Sequence, residues 1–190
     1  MGYKKLCISA PSGAGKTTII QHLLSQFDQL DFAVSVTTRK KREDEVHGKD
    51  YYFETVNYFR ELRDRDEFVE WEEVYPGTFY GTLRSEIQDI EGAGKMPLFD
   101  LDVFGGQKIK KVYPDETLTV MIIPASMELL TEHLTKRERR AGRDPAIRLA
   151  RVPRELAEAD KFDLRVVNTY QREDLDSIVQ QIMDRLLVAA

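Results

Sequence analysis

Residues 9–18 read "SAPSGAGKTT", and four of them, Gly13, Gly15, Lys16 and Thr17, stand at the spacing of a phosphate-binding P-loop. Glycines let backbone N–H groups converge on phosphate oxygens, and a helix opening at the same point adds the positive end of its dipole. A lysine there reaches the outer phosphates, and the hydroxyl that follows can ligate Mg²⁺. The pattern asks for glycine where Ala10 sits. Ala10 precedes Pro11, and a residue before proline is pushed toward extended geometry at negative φ, where a Cβ is tolerated. The loop therefore reads as a seat for a nucleoside triphosphate. The chain has no Asn-Lys-x-Asp sequence, which argues against a GTPase.

A second group of residues suits a smaller anion. In "SVTTRKKR", residues 35–42, an extended chain puts Ser35, Thr37 and Arg39 on one face and Val34, Val36 and Thr38 on the other. Four strand residues span about 13 Å, roughly the reach of a nucleoside monophosphate from base to phosphate. The plainer reading is an edge strand with a solvated polar face. Asp100 and Asp102 close the apolar run "PLF", at the carboxyl end of an expected strand, where parallel α/β sheets bind ligands. Contact with metal-bound water, a hydrogen bond to an acceptor base and a simple helix cap all stay open for that pair. Arg137, Arg139, Arg140, Arg143, Arg148, Arg151 and Arg154 crowd one short stretch, a pattern that usually marks a solvated helix face. His22, His47 and His133 lie far apart, and no Gly-x-Ser-x-Gly elbow occurs, so metal-site and nucleophile–histidine chemistry are poorly supported.

The elements that must carry these residues alternate. Strands are expected over 5–9, 32–37, 96–101, 118–123 and 164–167, with a helix over 17–26, a rhythm that favours a parallel sheet covered by helices. Leu175, Ile178, Val179, Ile182, Leu186 and Leu187 recur at helical spacing and predict a last helix closing one face. Two regions break the rhythm. Residues 38–82 combine strand-like pieces ("YYF", "FVEW", "FYGT") with one helical piece, and residues 131–154 are dense in arginine. At 190 residues, 42% hydrophobic, the chain can bury one sizeable core with smaller lobes inserted. A net charge of −5 argues against a general nucleic-acid binder while allowing a local basic cleft. The single cysteine, Cys7, sits in an apolar run and excludes an intrachain disulfide. No stretch reaches membrane-spanning length, the first apolar run is too short for a secretory signal, and residue 6 is Leu where myristoylation asks for Ser or Thr. A cytoplasmic protein without a membrane partner is expected.

Taken in order, the P-loop, "S-x-T-T-R-x-x-R", "G-K-D-Y-x-F", "F-x-E-W", "Y-G-T", "D-L-D", the arginine-rich segment and "V-V-N" resemble the guanylate kinases over almost the whole chain. The resemblance implies a P-loop three-layer α/β fold, a parallel sheet flanked by helices (core 1–34, 83–130 and 155–190), with an inserted α+β GMP-binding lobe (35–82) and a short helical lid (131–154). It implies that Ser12, Gly13, Ala14, Gly15, Lys16, Thr17 and Thr18 bind ATP, that Arg39, Arg42, Tyr51 and Tyr80 hold the GMP phosphate, and that Ser35, Glu70 and Thr82 read guanine with Asp102 nearby. Lys16, Arg39, Arg137 and Arg148 would carry the transfer, with Mg²⁺ near Thr17 and Asp100, in a monomer or homodimer. Guanine offers N1–H and N2–H₂ side by side, so one carboxylate such as Glu70 can accept both, whereas adenine has no such donor pair. Without the resemblance, Glu70 reads as a solvated member of an acidic stretch with Glu72 and Glu73. Departures from the family pattern are Ala10, Thr82 where serine is also common, Thr169 after Asn168, and Pro153, which is expected to interrupt the helix after the lid. Rival readings are a guanylate-kinase-like protein-binding module without turnover, against which Lys16 and Thr17 are intact, and a related kinase with another acceptor.

Overall fold

The structure, a computed structural model, describes residues 2–140, 142 and 144–188. Arg143, one arginine of the basic run, lies outside them. In chain order the elements are β1 (Lys5–Ser9), α1 (Lys16–Gln26), β2 (Leu30–Phe32), β3 (Val36–Thr37), β4 (Tyr52–Phe53), α2 (Val56–Asp64), β5 (Phe68–Tyr75), β6 (Thr78–Leu83) and α3 (Arg84–Gly92). There follow β7 (Met96–Leu101), α4 (Val103–Val112), β8 (Thr117–Pro124), α5 (Met127–Arg140), α6 (Ala146–Leu149), α7 (Val152–Leu156), β9 (Leu164–Asn168) and α8 (Leu175–Val188). The chain divides into two compact units, residues 1–28 with 100–190, and residues 29–99.

In the first unit β1, β8 and β9 lie side by side and parallel, with Ile8 opposite Val120 and Ile122 opposite Val166. The strand β8 is buried over nearly its whole length, as a parallel strand covered on both faces must be. Met121 packs with Val103, Ala159 and Phe162, and strand parity turns Val120 and Ile122 to the other face. α4 packs on β1 and β8, α8 on β9 and α1. On α8 the buried stripe is Ile178, Val179, Ile182, Met183 and Leu186, while Leu187 is exposed and drops out of the expected apolar face.

The second unit holds a mixed four-stranded sheet in the order β4-β3-β6-β5, over a core of Val36, Phe59, Phe68 and Phe79. Gly81 lies opposite Trp71 in the β5–β6 pair, and a Cβ there would lie 2.8 Å from the Phe68 ring and 3.0 Å from the Glu70 carbonyl. The expected single strand over 32–37 is two. The Ala33 amide donates to Leu98 O at 2.9 Å, and the Ser35 carbonyl accepts from the Tyr52 amide at 3.0 Å, so the chain changes partners within three residues. Nor is the second half an edge: β3 pairs with both β4 and β6, and Ser35, Val36 and Thr37 are all buried. Pro153 does not interrupt a helix. It lies in the first turn of the short α7, where an N–H has no helical partner to lose.

Candidate active site

The donor side is built on the junction of β1 and α1. Gly15 is the N-cap of α1 in left-handed geometry, φ 85°, and brings no side chain to satisfy the first helical N–H groups, while no acidic residue stands in the first turn. An uncapped helix start of this kind is an anion seat. A Cβ on Gly15 would come within 2.2 Å of Asn168 Nδ2, so glycine is required for two reasons. The loop is braced from the end of β9: Asn168 Nδ2 donates to Ala14 O at 2.8 Å, and Tyr170 Oη donates to Gly13 O at 3.2 Å. Tyr170 itself holds a left-handed φ of 64°, rare for an aromatic residue, and stacks on His133 at 4.3 Å. Ala10 is buried and absent from the left-handed residues, as its place before Pro11 predicts.

Lys16 donates to Leu101 O at 2.7 Å and forms an ion pair with Asp100. Asp102 caps α4, accepting from the Gly105 amide at 2.8 Å, and its other oxygen meets Arg151 Nη2 at 3.3 Å. Arg151 also reaches Glu155 at 3.3 Å. Burial pushes the Glu155 carboxyl above the usual glutamate range, aided by Asp102, with Arg151, the Ser12 amide and Lys16 opposing. Arg151 and Glu155 are thus built into the phosphate-loop region, although Arg151 reads in sequence as part of a solvated run; the Arg–Glu spacing of four on a helix was the available signal. Of the two arginines that the resemblance assigns to a lid, Arg148 approaches Ser12 Oγ at 3.5 Å, and both Arg137 and Arg148 flank the buried Glu138. Thr17 and Thr18 are exposed at the start of α1.

The residues expected to take the acceptor, all but Asp102 in the second unit, fall into two groups. Ser35 Oγ lies 3.3 Å from Thr82 Oγ1, which donates to Glu70 Oε1 at 2.9 Å, and all three residues are at most 5% exposed. Thr82 has one proton and gives it to Glu70, so Ser35 is the donor to Thr82 and the hydroxyls form a directed relay. The β5–β6 register, Glu70 opposite Thr82, makes it possible. Thr37, by contrast, spends its hydroxyl on Phe79 O at 3.0 Å.

The second group surrounds Arg39. Its Nε donates to Tyr80 Oη at 3.2 Å, its guanidinium lies 5.3 Å from the Tyr51 ring centre, and Tyr51 meets Tyr80 edge-on at 5.8 Å. Both Nη atoms of Arg39 bind Glu45, at 2.9 and 2.7 Å, and Arg42 Nη1 lies 3.3 Å from the same carboxylate. Burial alone would lower the Arg39 pKa, but Glu45 and Tyr80 more than reverse that and fix the positive charge. Glu45, 9% exposed, is a buried anchor of Arg39 and Arg42 that sequence reasoning missed, because inside "KKREDE" it looks like one solvated charge among many.

A phosphate loop between strand and helix, braced by the asparagine that ends β9 and served by the lysine that opens α1, defines a P-loop α/β nucleotide-binding protein. A family model for guanylate kinase matches residues 2–187. A guanylate kinase of Porphyromonas gingivalis is 42% identical over 180 residues, covering 94% of each chain. That of Salinibacter ruber is 40% identical, covering 94% of this chain and 93% of its own. The crystal structure of guanylate kinase from Anaplasma phagocytophilum superposes with a TM-score of 0.78 at 29% identity, over 98% of this chain and 87% of that one. The chain belongs to the guanylate kinase family.

Proposed function

We propose that the protein transfers the γ-phosphoryl group of ATP to the phosphate of GMP, giving ADP and GDP. The observation that carries this reading is the buried Ser35–Thr82–Glu70 relay, which presents an oriented carboxylate to a base with paired N–H donors. Loop residues 12–18 and the start of α1 seat the ATP phosphates, and Lys16 exchanges its Asp100 and Leu101 partners for phosphate oxygens. Arg39, Arg42, Tyr51 and Tyr80 take the GMP phosphate, Asp102 is a further contact to the acceptor base, and residues 35–82 and 131–154 act as GMP lobe and lid.

Two unit charges about 4 Å apart repel by roughly 4 kcal/mol at an effective dielectric near 20, so the approach of two anionic substrates requires cations. Lys16, Arg39, Arg42, Arg137 and Arg148 supply them. The GMP phosphate oxygen is already largely ionised near neutral pH, so no general base is demanded, and catalysis is alignment plus electrostatics. Thr17 and Asp100 offer hard oxygen donors with only one carboxylate, a set that suits Mg²⁺ sharing its shell with phosphate and water. When bound there, Mg²⁺ would neutralise phosphate charge.

No helix among the described residues is long and apolar enough to cross a membrane. With one buried thiol, Cys7, and no disulfide, we assign the activity to the cytoplasm. Phosphate transfer from ATP to GMP, AMP, UMP and dTMP, assayed side by side, tests the proposal. GMP is the expected acceptor; preference for AMP would overturn the role of Glu70, and binding without turnover would favour a protein-binding module.

A further inference from the structure

Leu130, Leu134 and Glu138 follow one another at intervals of four on α5, and all three are buried, Glu138 to 1% exposure. Helical periodicity asks for a third apolar residue at that place, and a carboxylate there needs compensation by positive charge and hydrogen bonds. Two arginines provide it from two elements: Arg137 Nε on α5 donates to Oε1 at 3.2 Å, and Arg148 Nε on α6 lies 3.5 Å from Oε2. Both are met at Nε, the guanidinium nitrogen nearest the chain, a contact that constrains the plane of each group. Arg148 Nη1 reaches Ser12 Oγ in the phosphate loop at 3.5 Å. In the other unit Glu45 also joins two arginines, Arg39 and Arg42, but through their terminal Nη atoms.

We infer that Glu138 is a positioning residue for phosphoryl transfer, gripping Arg137 and Arg148 through Nε so that both guanidinium groups are set for the ATP phosphates. The inference rests on the reading of those arginines as ATP contacts. Loss of the grip leaves the arginines charged and misaligned, so it lowers kcat without raising the KM for ATP; a purely structural glutamate would lower thermal stability and leave kcat of the folded protein intact.

The experiment compares Glu138→Gln, Arg148→Ala and the double variant in the full chain, with thermal melting measured in parallel. Glu138→Gln is expected to lower kcat by about tenfold to a hundredfold, with the ATP KM unchanged or lower and the GMP KM within about twofold. On the Arg148→Ala background the same change should lower kcat by a factor at least about threefold smaller. Equal factors on the two backgrounds, or kcat of Glu138→Gln within about twofold of the unmodified chain while Arg148→Ala is impaired, would overturn this inference alone. An unimpaired Arg148→Ala would instead remove the lid reading beneath it. Should Glu138→Gln fail to fold, Glu138→Asp, which keeps the charge but withdraws it by one methylene, is judged by the same split between kcat and KM.

Discussion

The Asn168 side chain donates to the Ala14 carbonyl at 2.8 Å, and so the last residue of β9 holds the phosphate loop from 154 positions away. This contact explains why Gly15 has no room for a side chain. Asn168→Ala should raise the KM for ATP about fivefold to thirtyfold, the worth of ~1–2 kcal/mol, with GMP affinity retained. Gly15→Ala adds roughly 1–2 kcal/mol of left-handed backbone strain to a steric clash and should be worse. Combining the two substitutions removes the clash and leaves the strain, so steady-state kinetics should show partial rescue. Purely additive losses would mean that the two residues do not meet as described.

Glu70→Gln keeps the shape of the acceptor relay but replaces an acceptor oxygen with a donor amide. A site built on hydrogen bonds rejects a mismatched partner by on the order of a hundredfold or more. The kcat/KM for GMP should fall on that scale while the KM for ATP stays within about twofold. Parallel losses for both substrates would count against a division of labour between the two units.

On the proposed acceptor site, Glu45 is expected to give binding a pH dependence. Burial alone would raise its carboxyl, but hydrogen bonds from Arg39 and the Arg42 amide hold it below the usual glutamate range. Its contribution is therefore present above the ordinary glutamate pKa and is lost as pH falls through the lowered value. Glu45→Gln should raise the KM for GMP roughly tenfold near neutral pH, because Arg39 and Arg42 lose their common anchor. It should also flatten the acid limb of the stability profile followed by thermal melting. An unchanged GMP KM would show that the arginines orient themselves.

Glu155 has the opposite sign. Burial raises its carboxyl, so folding favours the protonated form. That contribution is complete below the ordinary glutamate range and disappears as pH rises through the raised value. Melting temperatures of Glu155→Gln and the unmodified chain, taken between about pH 4 and 8, should converge at the acid end and separate in favour of the variant as pH rises. A constant offset across the range would mean that the carboxyl stays ionised beside Arg151.

What could be read in the sequence was whatever chemistry is local. The phosphate-loop motif occupies ten consecutive residues, from the last of β1 into the first turn of α1, and the expected strands 5–9 and 96–101 are found with the same bounds. The apolar run 32–37 misled because hydrophobicity continues through a point where the chain changes hydrogen-bond partners, which only pairing can reveal. Glu45, Glu138 and Glu155 were hidden for another reason. Each lies among charges that look solvated, and only the folded chain buries it against arginines, two each for Glu45 and Glu138 and one for Glu155. For Glu138 the interval of four from Leu130 and Leu134 was a legible trace.

Val36, Phe59, Phe68 and Phe79 form a hydrophobic centre wholly within residues 29–99, while Val103, Met121, Ala159 and Phe162 form another in the remainder. On the roles proposed above, selection rewrites which nucleobase is welcomed by editing around one aromatic nucleus, without retuning how triphosphate is grasped. A kinase so partitioned is evolvable by halves.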